Sequence, residues 1–421
     1  MEIRRDHYLQ ELVQRKHNTL IKVVTGIRRC GKSYLLFKLF REHLLSSGVT
    51  PDHILALNLD DFANISLRSP GTLLEWVRSR LRDSAMHYVL LDEIQYVPHF
   101  EEVLNSLLHD SNADVYVTGS NSRFLASDII TEFRGRGDEV HLYPLSFAEY
   151  CAASGEERHS AWQSYLTYGG LPLTLSLPSH EAKANYLQRL VTEVYLKDIL
   201  ERNNLRNSLE LQELLQVLAS SVGSLASPRK LAATFQSSQA SGAGHAPSPN
   251  TIAAYCKFFE EAFLLHRAER YDIRGRHYIN SLHKFYFEDL GLRNAALNFR
   301  QTEENHIMEN IIYNELRLRG FNVDVGILQT TGKNAAGKAI RQQFEVDFVA
   351  NQGSQRYYIQ SALRMDDDEK REQENRPLRK VGDSFKKIIV TGPDGIFWRN
   401  QDGHVIINIL DFLLAPNSLE L

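Results

Sequence analysis

The apolar positions of this chain change period several times along its length. Leu20-Ile-Lys-Val-Val-Thr25 is an apolar, β-branched run, the pattern of a strand buried in a parallel sheet. Tyr34 to Phe40 then repeats its apolar residues at helical spacing. His87 to Leu91 and Asp114 to Thr118 are further strand-like runs, each closing on polar residues. Alternating strands and helices predict an α/β core with a parallel sheet over residues 1–150. Helical periods follow at Ser160–Tyr168 and at Glu181–Asn203, where Tyr186, Leu190, Val194 and Ile199 share a face, so 151–205 reads as a helical segment.

Residues 206–300 read as three helices and a hairpin, the order of a winged helix. The helices are Leu209–Val222, Ser227–Phe235 and Pro249–Leu264, and the hairpin strands are Leu265–Tyr271 and His277–Ile279. A Ser/Ala/Gly stretch, Gln236–Ser248, separates the second and third helices. Residues 301–421 begin with an amphipathic helix, His306–Arg319. Strands are then expected at Val323–Leu328, Phe344–Val349, Arg356–Ala362 and Lys386–Thr391.

Composition changes this picture little. At 421 residues several domains are expected. A hydrophobic content of 43% without a run of membrane-span length argues against a membrane protein. Three scattered cysteines, Cys30, Cys151 and Cys256, offer neither a disulfide framework nor zinc spacing, which fits a cytoplasmic location. A net charge of −4 excludes a general polyanion binder. Residues 1–40 nevertheless hold nine Lys/Arg against three Asp/Glu, among them Arg4, Arg5, Arg15 and Lys16, which could meet phosphate, nucleic acid or a neighbouring subunit.

The chemistry concentrates in Gly26-Ile27-Arg28-Arg29-Cys30-Gly31-Lys32-Ser33, a G-x-x-x-x-G-K-S string set between a strand and the helix that Tyr34 enters. In that context backbone N–H groups face triphosphate oxygens, Lys32 reaches the β- and γ-phosphates, and Ser33 ligates Mg²⁺. Asp92 closes its strand where a second Mg²⁺ ligand belongs, and Glu93 is the candidate general base for water. Ser120 or Asn121, after the next strand, is placed to sense the γ-phosphate. Arg134 and Arg136 flank Gly135 as candidate arginine fingers, acting in cis or from a neighbour. ATP and Mg²⁺ are therefore the expected ligands.

Together with Leu91-Asp-Glu-Ile-Gln95, Thr118-Gly-Ser-Asn-Ser122, Pro144-Leu-Ser-Phe-Ala-Glu149 and Tyr168-Gly-Gly-Leu-Pro172, the pattern resembles the AAA+ ATPases. It is closest to a bacterial and archaeal branch with a C-terminal domain of unknown function. The resemblance implies that 151–205 is a lid and that Pro172 touches the adenine.

Glu309 and Asp347 resemble the helix Glu and strand Asp of PD-(D/E)xK nucleases, which bind metal. The third motif departs: Gln360-Ser-Ala362 stands where Glu-x-Lys belongs, and Lys386 or Lys387 is the remaining lysine to consider. The domain is expected to bind or assemble without cutting.

The first expectation is thus an ATP-hydrolysing switch or motor that couples nucleotide state to a homo-oligomer, a protein or DNA. The alternatives are an ATP-gated, metal-dependent DNA nuclease and a non-hydrolysing assembly module.

Overall fold

Five strands build the first sheet of the computed structural model, which describes residues 3–119, 135–205, 208–238, 247–300, 303–333 and 339–421. They are β1 (Ile21–Thr25), β2 (Ile54–Asn58), β3 (His87–Asp92), β4 (Ala113–Thr118) and β5 (Gly137–His141). Their order is β2-β3-β4-β1-β5, and every pairing is parallel. All five residues of β1 are buried, including Lys22, whose ammonium pairs with Asp114 of β4. One face of the sheet packs on Leu73 and Val77 of helix Pro70–Arg78 and on Phe100, Val103, Leu104 and Leu107 of helix Phe100–Leu107. After β1 the chain turns through the glycine loop into a continuous helical run. It is α-helical over Lys32–Tyr34, π-helical over Leu35–Phe40 and α-helical again over Arg41–Ser46.

The chain packs into two compact units. One comprises residues 1–144, 171–176 and 261–263; the other comprises 145–170, 177–260 and 264–421. The second unit contains an eight-stranded mixed sheet. Its strands are β6 (Leu265–Asp272), β7 (His277–Phe287), β8 (Asn322–Lys333), β9 (Ala339–Gln352), β10 (Gln355–Ala362), β11 (Lys386–Thr391), β12 (Trp398–Arg399) and β13 (Val405–Asn408), in the order β12-β13-β11-β10-β9-β8-β6-β7. The three expected helices are present as Ser208–Ser220, Pro228–Ser238 and Pro249–Glu261. The hairpin expected after them is also present, but it does not stand apart as a wing. Arg270–Asp272 of β6 pair in parallel with Val325–Ile327 of β8, so the hairpin extends the C-terminal sheet.

The paired glycines of Tyr168-Gly-Gly-Leu-Pro172 have a packing cause inside the second unit. Gly169 lies at φ +69°, and a Cβ there would meet the Asp289 carboxylate at 2.5 Å. A Cβ on Gly170 would meet the Leu145 carbonyl at 2.3 Å. The Gly170 N–H donates to Asp289 at 2.8 Å, and Asp289 also caps helix Leu290–Ala296 through the Leu292 N–H. Burial raises the Asp289 pKa to about 6, against the lowering effect of these backbone donors. Among the described residues, no helix is long and apolar enough to cross a membrane.

Candidate functional site

Parallel strands β1, β3 and β4 all end at one edge of the first sheet, and their last residues assemble the site. Gly26 leaves β1 at φ +134°, and a Cβ there would strike the Leu142 carbonyl at 2.2 Å. Only glycine fits that turn. Gly31 enters the helix at φ +108°, with nothing within 4 Å of a Cβ position. Ile27 and Cys30 are buried and hold the loop down, whereas Arg28 is half-buried and Arg29 exposed. Lys32 is buried, and its ammonium donates to the Gly26 carbonyl at 2.9 Å and the Ile27 carbonyl at 3.1 Å. Tyr34, half-buried, closes the first turn. The site is thus an open glycine cradle with a lysine folded over its rim.

The exposed Ser33 side chain lies beside Asp92, which is buried at the end of β3. Burial raises the Asp92 pKa, partly offset by the hydrogen bond from Thr118, the nearby Ser33 hydroxyl and the charge of Lys32. A hydroxyl beside a carboxylate is a hard oxygen pair, the donor chemistry that Mg²⁺ takes alongside phosphate oxygens. Ser33 and Asp92 therefore fit the implied ion. Glu93 follows in the left-handed region at φ +54°, its carboxylate bonded by the Gln95 amide. The Glu93 N–H donates to Thr118 Oγ1 at 3.0 Å, and the Thr118 hydroxyl donates to Asp92.

Thr118 thus ties both acidic residues to β4, a role that sequence reasoning did not assign. Its signal is positional, since Leu91 pairs with Val117 and the two strand ends sit side by side. Arg5 is a second such residue. Buried under Tyr8, its guanidinium donates to the Tyr143 carbonyl at 2.7 Å and to the Cys30 carbonyl of the loop at 3.5 Å. Nothing in the spacing of the sequence singles it out from Arg4.

Arg136 is not brought to this cradle. The Arg136 carbonyl accepts from the Ile21 N–H, so this exposed arginine sits where β1 begins, whereas the loop leaves where β1 ends. The intervening strand is roughly 13 Å long at about 3.3 Å per residue. That separation argues against Arg136 as a finger for its own loop. Pro172 opens a short 3₁₀ turn, Pro172–Leu175, within the first unit, and its ring is half-buried. Ser120, Asn121 and Arg134 lie outside the described residues.

The nuclease-like residues form a separate site in the second unit, beside an open cavity of about 1130 Å³. Glu309 projects from helix Glu304–Leu318, and Glu345 and Asp347 from β9. Lys386 and Lys387, the lysines expected to stand in, bond instead to the carbonyls of Leu421 and of Asp383 and Phe385. The lysine actually present is Lys284 of β7. It lies 2.8 Å from Glu309, 2.9 Å from Glu345 and 3.8 Å from Asp347. Burial alone would lower the Lys284 pKa, but the three carboxylates outweigh it and raise it. Burial, followed by the charge of Glu309, raises the Asp347 pKa, and the Lys284 ammonium opposes that rise. The Asp347 N–H donates to Gln360 Oε1 at 3.4 Å, so Gln360 does stand at the third position.

Comparison with known proteins finds matches over both units of the chain. Residues 18–151 match the family model described as "AAA domain", and residues 159–303 match "Domain of unknown function (DUF8612)". An uncharacterized protein of Haemophilus influenzae is 32% identical over 98% of both chains. One of Methanocaldococcus jannaschii is 26% identical over 78% of this chain and 71% of its own length. Among solved structures, the Aeropyrum pernix ORC1 protein in complex with DNA aligns with 70% of this chain and 92% of its own, at 13% identity and a TM-score of 0.30. Replication initiator DnaA bound to AMPPCP and single-stranded DNA aligns with 62% of this chain and 89% of its own, at 15% identity and a TM-score of 0.32. By its identity to the Haemophilus influenzae relative over nearly the whole of both chains, this chain belongs to that protein's family, and it carries an AAA domain at residues 18–151.

Proposed function

We propose that the protein binds ATP at the Gly26–Ser33 loop, hydrolyses it with Mg²⁺, and couples nucleotide state to assembly or to a protein or DNA partner. One observation carries this reading: Lys32, Ser33, Asp92 and Glu93 converge at one sheet edge beside a loop whose opening turn at Gly26 only glycine can make. When bound, Mg²⁺ would offset charge on the phosphate oxygens. Lys32 exchanges its two carbonyl partners for phosphate oxygens, and Ser33 and Asp92 hold the ion. Glu93 accepts the proton of the attacking water, while Thr118 keeps its backbone aligned. Pro172 contacts the base. A phosphate sensor at Ser120 or Asn121, and a finger from Arg134 or from Arg136 of a neighbouring copy, complete the proposed machinery.

Support for coupling comes from the segment after β2. The Leu59 N–H donates to the Asp92 carbonyl at 3.1 Å, and Arg68 Nε donates to the Leu59 carbonyl at 2.8 Å. Between them the 3₁₀ stretch Phe62–Arg68 presents Phe62, 80% exposed, and Ile65, 50% exposed. Exposed apolar side chains fastened to the acidic strand suit a surface that reports the state of the site to a partner. The arginines of the β6–β7 hairpin offer little to DNA. Arg267 faces Glu260 and Glu269, and Arg270 is buried.

The test is ATP turnover with Mg²⁺, measured beside light scattering in the apo, ADP and ATP-analogue states, with and without duplex DNA. Turnover abolished by Lys32→Ala, with a nucleotide-dependent change in mass or DNA binding, supports the proposal. Absence of ATP binding by the wild type overturns it.

A further inference from the structure

The resemblance of Glu309, Asp347 and Gln360 to a nuclease centre implies a divalent metal, and the residues present do not fit one. A divalent ion at about 2.0–2.6 Å from each oxygen requires those oxygens to lie within roughly 5 Å of one another. With the Lys284 ammonium between them, Glu309, Glu345 and Asp347 do not bring one oxygen each within 4.8 Å of the others. What they surround is an ammonium. Glu309 Oε1 accepts from Lys284 at 2.8 Å and from the Tyr286 hydroxyl at 2.6 Å. Glu345 Oε1 lies 2.9 Å from the same nitrogen, and Asp347 Oδ1 at 3.8 Å. The other Asp347 oxygen accepts the Ser361 N–H at 2.8 Å. The Lys284 side chain is 5% exposed, and Ala362 leaves the third motif without a lysine of its own.

We infer that Lys284 is a tethered cation occupying the place of a divalent metal, and that the second unit holds its three carboxylates together without metal. Lysine from β7 replaces both the ion and the missing motif lysine. The carboxylates would then serve to lock helix Glu304–Leu318, β7 and β9 to one another.

The test counts bound Mn²⁺ by electron paramagnetic resonance in the nucleotide-free full chain, with Asp92→Asn in every arm to silence the first site. With Lys284 present, adding Asp347→Asn should leave Mn²⁺ binding unchanged. Lys284→Met should create one Mn²⁺ site that binds about tenfold or more tighter than the background, and Asp347→Asn should abolish it. If Lys284→Met does not fold alone, Mn²⁺ should restore its folding, and Lys284→Arg should fold without metal. The inference is overturned if the Lys284 protein binds a Mn²⁺ that Asp347→Asn removes. It is equally overturned if Lys284→Met neither binds Mn²⁺ nor is rescued by it.

Discussion

Lys32 and Lys284 are both buried lysines at sites that resemble phosphoryl chemistry, and their partners set them apart. Lys32 rests on two neutral carbonyls of its own loop, at 2.9 and 3.1 Å. Dipoles hold the ammonium in place without cancelling its charge, so an incoming phosphate can replace them at a gain. Lys284 faces three carboxylates. Its charge is answered from within the protein, and a phosphate or a metal must first displace those partners. Burial of a lysine is therefore not a functional signal in itself; the charge of its neighbours is.

The sharpest way to break this comparison is to remove each lysine in turn. Lys32→Ala should weaken ATP binding by about 10²–10⁴-fold, the loss of two charge-assisted hydrogen bonds at roughly 1.5–3 kcal/mol each. Fold stability should barely change, and calorimetric titration with thermal melting reads both. Glu93→Gln belongs with it. Its kcat should fall about 10²–10⁴-fold while ATP affinity holds, because the amide cannot take a proton. Lys284→Met should show the opposite signature, with ATP affinity retained but stability lower by about 3–5 kcal/mol, since carboxylates remain buried without their cation. Urea unfolding measures that loss.

Asp289 sharpens the contrast from the other side, as a buried carboxylate that accepts from the peptide N–H groups of Gly170 and Leu292. Its folded pKa of about 6 lies above its ordinary 3.8. Between those values the folded state holds a proton that the unfolded chain has released. Its contribution is complete below about pH 4 and is lost as pH rises through 6. Relative to Asp289→Asn, the wild type should lose about 2.4 kcal/mol between pH 4 and 7, checked by urea titrations at both pH values. The smallest effect is expected at Thr118. Thr118→Val keeps the shape and removes one hydroxyl, costing about 1–2 kcal/mol and a modest share of kcat. An unchanged kcat would mean that Glu93 does not need this anchor.

The first site is largely legible in the sequence because its parts are contiguous. A single string carries the glycines, Lys32 and Ser33, and one strand end carries Asp92 and Glu93. Parallel strands then bring those ends together without further information. The residues that escape sequence reasoning arrive from elsewhere in the chain. Thr118 depends on β4 lying beside β3, Arg5 on its guanidinium reaching the Cys30 carbonyl, and Lys284 on a hairpin strand reaching helix Glu304–Leu318. The same non-locality explains the hairpin itself. Its alternating pattern is identical whether it stands as a wing or joins a sheet, and the pairing of Arg270–Asp272 with Val325–Ile327 decides the matter only in three dimensions.

The account rests on Lys32 being the lysine whose charge is open to phosphate. Isothermal titration of Mg²⁺–ATP into the wild type and Lys32→Ala, both verified as folded, tests this directly. The account predicts saturable binding at one site per chain in the wild type and a loss of about 100-fold or more in the variant. Equal affinities for the two proteins, or no binding to the wild type, would contradict it.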